Sequence, residues 1–455
     1  MSKVNILQPN NDAIFQHSVI HNAAWQYIMP VVCVAALTFA DTTSLFSYGY
    51  ALLLLVVSGY IISRKEMKDL FFAFHFYLLF AIAFTIIFKS QFPAYLGMTG
   101  EEGGIGTDDC RFYAQVVGGE GVGYTIMVST VDLMPYSLLL KLIYPFQIFT
   151  PLNILTPTLL FTAYLPIYVR RLSYLLTNDN KLARLAFLYT LICPFTLYFG
   201  CIILRESFTA LMVIAGLCYF LQKRYVPLFI CVFALIWVRF GTLAFLLCGI
   251  VLLYRYQLRH KTRSDFPFVI LILVIIGVFY LSFSYFQEFS KGKLEYGLIR
   301  STDNERYEDS TIGALMRLPF PLNILLSTVF FLFIPFLGIP QPHYGHYLVG
   351  SFFQGFFTPL FMFFLWKPIF NATLSALLER RHEAAKKILY MAIIFAMILG
   401  TISMQSRHKT VLFPILCILA AYGYANKNKK YDGSATILAS IVIGVQLIIA
   451  VLNYV

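Results

Sequence analysis

Charge is what this chain has least of. Of its 455 residues, 12% are Asp, Glu, Lys or Arg, whereas 59% are hydrophobic and the mean hydropathy is +0.75. An average soluble domain carries roughly 25% charged residues. The 34 basic and 22 acidic side chains cannot coat a water-soluble globule that must also hide 45 Phe and 30 Tyr. Paired cysteines are missing too. Cys33, Cys110, Cys193, Cys201, Cys218, Cys231, Cys248 and Cys417 form no CxxC, and seven of the eight lie in apolar runs, where they read as small buried hydrophobes. There is no phosphate-cradling loop, since GGEGVG at 118–123 is not followed by Lys-Ser/Thr. The N-terminal stretch MSKVNILQPNNDAIFQH is polar and lacks a cleavage pattern, which predicts no removable signal peptide. Together these absences exclude a soluble enzyme, a disordered chain and a secreted disulfide scaffold.

What is present is a series of long apolar runs. A bilayer core of about 30 Å takes roughly 20 apolar residues at 1.5 Å each. The candidate spans are 24–42, 47–63, 70–88, 151–169, 183–203, 207–221, 225–239, 241–254, 266–285, 320–338, 349–366, 388–404, 410–425 and 434–453. Residues 135–149 are apolar but split by Lys141 and Pro145, which predicts a re-entrant or interfacial helix. The fold class expected is therefore all-α: one polytopic membrane domain over 1–455, with about 11–14 transmembrane helices and large outer loops at 89–134 and 286–318.

Charge placement sets the topology. Of the 34 Lys and Arg, 21 fall in the segments 64–69, 170–184, 222–224, 255–265, 367–387 and 426–432. That clustering is the positive-inside asymmetry, not a phosphate-binding stripe, so these segments and the N-terminus are expected in the cytoplasm and nucleic acid is not an expected partner. The 89–134 loop then faces outward, carrying six acids against Lys89 and Arg111. An odd number of crossings is needed between 286–318 and 367–387, so one of the runs 320–338 and 349–366 is predicted not to be a simple span. No clear internal repeat or broken mid-membrane helix stands out.

Four unusual groups then fall on one side. Two tight hairpins, 183–221 and 225–254, turn at Arg205-Glu206 (CIILRESF) and at Arg239 (IWVRFGT). The motif GTDDCRFY supplies Asp108 and Asp109, and MQSRHKT supplies Arg407, His408 and Lys409. Arginine at a membrane edge is costly unless paired, hydrated or used for an anion, and its fork of donors suits phosphate oxygens. Capture of a lipid-linked phosphate is one reading; snorkelling, or a local ion pair with Glu206, is the other. Adjacent carboxylates can share a site so that one accepts a proton, or can hold a divalent metal; alternatively Asp108-Asp109 cap a short helix beginning near Cys110. The basic triplet opposes the positive-inside trend, and His408 suits acid–base work near neutral pH. His343 and His346 lack a third ligand nearby and read as interfacial histidines.

Four of these features, GTDDCRFY, CPFTLYFGCIILRESF, WVRFGT and SRHKTVLFPILCILAAYGY, carry a family likeness. With them the chain resembles the bacterial O-antigen and exopolysaccharide repeat-unit polymerases (Wzy-like) and the wider GT-C glycosyltransferases, over roughly 100–255 and 400–425. The resemblance implies about a dozen helices in a bacterial inner membrane. It also implies an undecaprenyl-diphosphate-linked glycan as donor, with Arg205, Arg239 and Arg407 holding the diphosphate, joined on the residue reading by His408 and Lys409. Asp108 or Asp109 would match the carboxylate base of GT-C enzymes. Here, however, the acidic loop follows the third span and not the first, which favours the polymerase version. A polymerase would pass a growing glycan from one lipid diphosphate to another lipid-linked repeat unit, with Asp109 or Glu206 taking the acceptor proton, no cofactor, and a chain-length regulator as a further partner. The alternatives are a GT-C enzyme using a polyprenyl-phosphate sugar, with a divalent metal, and a transporter or flippase of lipid-linked sugar.

Overall fold

In a bilayer every backbone polar group must find a partner within the protein, and helices meet that condition locally. The computed structural model describes residues 18–20, 24–59, 62–93, 98, 108–117, 134–148, 150–258, 319, 322–333, 336–338, 348–379, 382–402 and 406–452. Among these residues the regular structure is all helical. The predicted span 266–285, the 286–318 loop, the GGEGVG stretch, the N-terminal residues 1–17 and His343/His346 lie outside the described residues.

The first helices are α1 (Trp25–Ala40), α2 (Ser44–Ser58) and α3 (Arg64–Gln91), followed by the short α4 (Asp108–Val117) and α5 (Met134–Ile143). Then come α6 (Pro151–Thr177), α7 (Asn180–Ile192), α8 (Pro194–Gly200), α9 (Glu206–Leu221) and α10 (Tyr225–Leu258). The C-terminal part holds α11 (Leu322–Phe333), α12 (Thr358–Leu378), α13 (Glu383–Ile402), α14 (Leu412–Ala425) and α15 (Lys429–Leu452). Their boundaries follow local chemistry. Ser63 and Glu66 close a capping box at the start of α3, Asp179 caps α7 through the Lys181 and Leu182 amides, and proline opens α6 and α8.

Six described helices are long and apolar enough to cross a membrane, and α7 with α8 makes a seventh if the bent pair is one span. Buried apolar side chains from nearly every helix join in one continuous core, while one flank of α1, α2, α10 and α15 presents Val, Ile, Leu and Phe outward. The chain is an all-α polytopic membrane protein. Helix α5 has 10 residues, about 15 Å, too short to span, as its divided sequence predicts. Of the two runs with conflicting parity, α11 has 12 residues and falls short of a span, whereas Val349–Leu378 runs for 30 through a π-helical turn at Phe352–Phe357.

Two interruptions distinguish the fold from a bundle of straight rods, and the first was not evident in the sequence. The predicted span 183–203 bends by 54° where Cys193-Pro194 ends α7 and opens α8, because proline has no N–H to continue the ladder. A non-helical strap, 201–205, then leads into α9. The second interruption is Arg239, whose extended backbone (φ −162°, ψ 87°) divides α10. Before it the chain runs back along α9, so that Val238 receives a bond from Arg205; after it Leu246 packs on Gly216 and Gly249 on Leu217. Both arms therefore flank α9, and the chain doubles back at Arg239, as the hairpin reading of 225–254 expects.

The doubling back separates two chemically distinct ends. At one, the carboxylates of Glu66 and Asp69 on α3 receive Arg171 and Arg170 on α6, each at 2.7 Å. Tyr168 of α6 meets Tyr219 at the C-terminal end of α9 in a hydroxyl–hydroxyl hydrogen bond. Glu379, His382 and Asn428 close the corresponding ends of α12, α13 and α14. The basic segments 64–69, 170–184, 222–224 and 426–432 thus collect at one end, and Arg205, Glu206, Arg239 and His408 at the other.

Candidate functional site

Side chains of an α-helix tilt toward its N-terminus, so residues that begin helices at one end of the bundle project toward that end. Glu206 opens α9, Arg239 occupies the reversal in α10, and His408 and Lys409 sit in the 3₁₀ turn Ser406–Val411 that leads into α14. Arg239 Nη1 donates to Glu206 Oε1 at 3.0 Å, forming a salt bridge with the carboxylate buried and the guanidinium 17% exposed. Its other terminal nitrogen donates to His408 Nε2.

These three residues share a cavity of about 60 Å³ with Thr209, Thr242, Thr410, Phe245 and Leu399. At about 30 Å³ per water in the liquid, that is room for roughly two waters. One guanidinium, one carboxylate, one imidazole and three hydroxyl-bearing residues can bind an anion and move a proton beside it.

Arg205 lies next door. Its Nη1 reaches the Val238 carbonyl at 3.4 Å, and its guanidinium carbon stands over the Phe112 ring, 5.9 Å from the centroid. The ion pair with Glu206 that the sequence allows is present, and the arginine that makes it is Arg239. Lys409 is buried with 1% exposure. Arg407 is placed within the same 3₁₀ turn, and its side chain lies outside the described residues.

The aspartate pair opens a short helix, close to the capping alternative that the sequence offers. Helix α4 begins at Asp108, so both acids are in its first turn. Asp108's side chain lies outside the described residues, while Asp109 is buried and an electrostatic neighbour of Tyr198. Among the described cavity-lining residues the carboxylate is Glu206, and Asp109 is not one of them. Asp109 and Phe112 are three apart on α4, so the same helix face carries the ring beneath Arg205.

Sequence reasoning missed Tyr136, on α5. Its Oη donates to the Leu204 carbonyl at 2.8 Å, and its ring stands edge-on to Phe112 at 4.9 Å. A lone Tyr in an apolar stretch carries no local signal of this. Comparison with models of protein families, with curated proteins and with solved structures finds no match to this chain.

Proposed function

We propose that this chain is a polysaccharide repeat-unit polymerase of a bacterial inner membrane, acting on lipid-diphosphate-linked glycans at the outer face. The observation that supports the reading is the meeting of Arg239, Glu206 and His408, from three distant stretches, around one cavity beside Arg205. Positive-inside logic puts the basic end in the cytoplasm and this mouth outside, where no nucleotide is needed.

In the reaction, an acceptor sugar hydroxyl attacks the anomeric carbon of the donor. The new C–O bond forms as the bond from carbon to the diphosphate oxygen breaks, and the electron pair leaves with the lipid diphosphate. Arg205 and Arg239, with Arg407, His408 and Lys409, stabilise the negative charge that grows on that leaving group. Glu206 takes the hydroxyl proton once the incoming anion competes for Arg239 and loosens their salt bridge. The partners are then polyprenyl-linked oligosaccharide, membrane lipid and a chain-length regulator, with no cofactor.

Two other readings remain to be distinguished. A GT-C transferase would place the base on Asp108 or Asp109, and the presence of Glu206 in the cavity favours the polymerase. A flippase of lipid-linked sugar is favoured by the two interrupted stretches, 193–205 and Arg239, since transporters build sites from discontinuous helices. The test is a deletion strain complemented with wild type or Arg205→Ala. Wild type restores the long glycan ladder; Arg205→Ala accumulates in the membrane but leaves only single repeats. A purified wild-type protein that joins no lipid-linked repeats in vesicles, yet moves them across, would establish the flippase.

A further inference from the structure

The strap 201–205 is not helical, and its residues 201–204 are buried; Arg205 O takes the Thr209 amide of α9 and Ile202 O the Leu204 amide, while the Leu204 carbonyl is met by a side chain. Thr162 Oγ1 holds Gly200 O at 2.9 Å, just before the strap. At its far end, immediately before Arg205, the Leu204 carbonyl takes the hydroxyl of Tyr136, 68 positions away in sequence. The same phenol ring stands edge-on to Phe112, whose face carries the Arg205 guanidinium, and lies 6.5 Å from Phe208 in the first turn of α9. One side chain therefore touches the backbone behind Arg205, the ring in front of it and the helix turn that bears Glu206. Burial, helped by the Glu206 carboxylate, pushes the phenol well above its ordinary pKa, so it remains an O–H donor to Leu204.

We propose that Tyr136 is a positioning residue for the anion site: through Leu204 and Phe112 it fixes where Arg205 and Glu206 stand. The anion itself rests on the function proposed above, whereas the mechanical claim does not. The role also gives α5 a purpose. This helix is too short to span and too apolar for an exposed loop, and here it braces the strap.

The experiment uses full-length protein in detergent, with Tyr136→Phe, which removes only the hydroxyl. Hydrogen exchange in peptides covering 201–206 is compared with wild type, and farnesyl diphosphate binding is measured by calorimetry. Both proteins are studied with and without Arg205→Ala. Exchange across 201–206 should rise while that of α3 and α6 is unchanged. Farnesyl diphosphate should bind about tenfold more weakly when Arg205 is present, and less than about twofold more weakly in the Arg205→Ala background. Unchanged exchange, or an equal loss of affinity in both backgrounds, overturns the positioning role, because a merely structural defect would not depend on Arg205. If wild type binds no farnesyl diphosphate, the lipid-diphosphate reading falls and the exchange comparison alone decides Tyr136.

Discussion

Glu206 and Arg239 stand 33 positions apart in sequence, and their side chains meet at 3.0 Å, the carboxylate buried and the guanidinium opening into the cavity. The pair joins the first residue of α9 to the point where α10 turns back on it. A single contact therefore fixes both the hairpin and the charge pattern of the site. Removing either partner is a structural and a chemical event at once, and the two can be separated.

Arg239→Ala leaves the Glu206 charge buried and uncompensated. Breaking one side of a buried pair costs about 3–5 kcal/mol, with the low end expected here because Arg239 is 17% exposed. Adding Glu206→Gln should recover most of the melting temperature and none of the long-chain glycan. Recovery of glycan in the double variant would show that neither side chain takes part in the reaction.

Glu206→Gln and Asp109→Asn test which carboxylate accepts the proton. General-base catalysis contributes roughly 10²–10⁴-fold, so Glu206→Gln should lose that much rate while Asp109→Asn keeps activity within about threefold. The initial rate of repeat joining in membranes is the measurement. The reverse ranking would move the base to α4.

At the opposite end, Glu66 and Arg171 form a two-bond ion pair at 2.7 Å, with Asp69 and Arg170 beside it. Arg171→Ala should lower stability by about 3 kcal/mol or more by stranding Glu66. Farnesyl diphosphate affinity of the surviving folded protein should match wild type. A parallel loss of affinity would contradict the separation of the two ends.

Gly423 is where α14 crosses α12. A Cβ there would overlap the backbone oxygen of Pro368, which cannot swing away as a side chain can. Gly423→Ala should therefore push the helices apart, at about 1–3 kcal/mol or more. Thermal melts and the yield of folded protein check it; wild-type values would mean the crossing is looser than the geometry requires.

Much of this was legible because membrane helices are written in long apolar runs. Spans such as 151–169 and 410–425 needed only hydropathy to find, and Arg205 and Arg239 stood out as charges between such runs. Other features depended on spacing that no local pattern encodes. Glu206 has Arg205 as its neighbour in sequence yet pairs with Arg239, because the side chain follows the fold of the hairpin. The basic segments 64–69 and 170–184 read as cytoplasmic loops, but Arg170 and Arg171 are neutralised by Asp69 and Glu66. The bend at Cys193-Pro194 was hidden because proline opening a new helix and proline within an old one look the same in a hydropathy profile.

The reversal at Arg239 also bears on how the chain is made. Its leading arm, 225–238, is only about 21 Å long at 1.5 Å per residue, less than the thickness of the hydrocarbon layer. Such a segment has little reason to stay in lipid by itself as it leaves the ribosome. It can be stably integrated once the trailing arm has emerged and both can pack on α9, so assembly of this mouth and insertion of this part of the polypeptide are a single event.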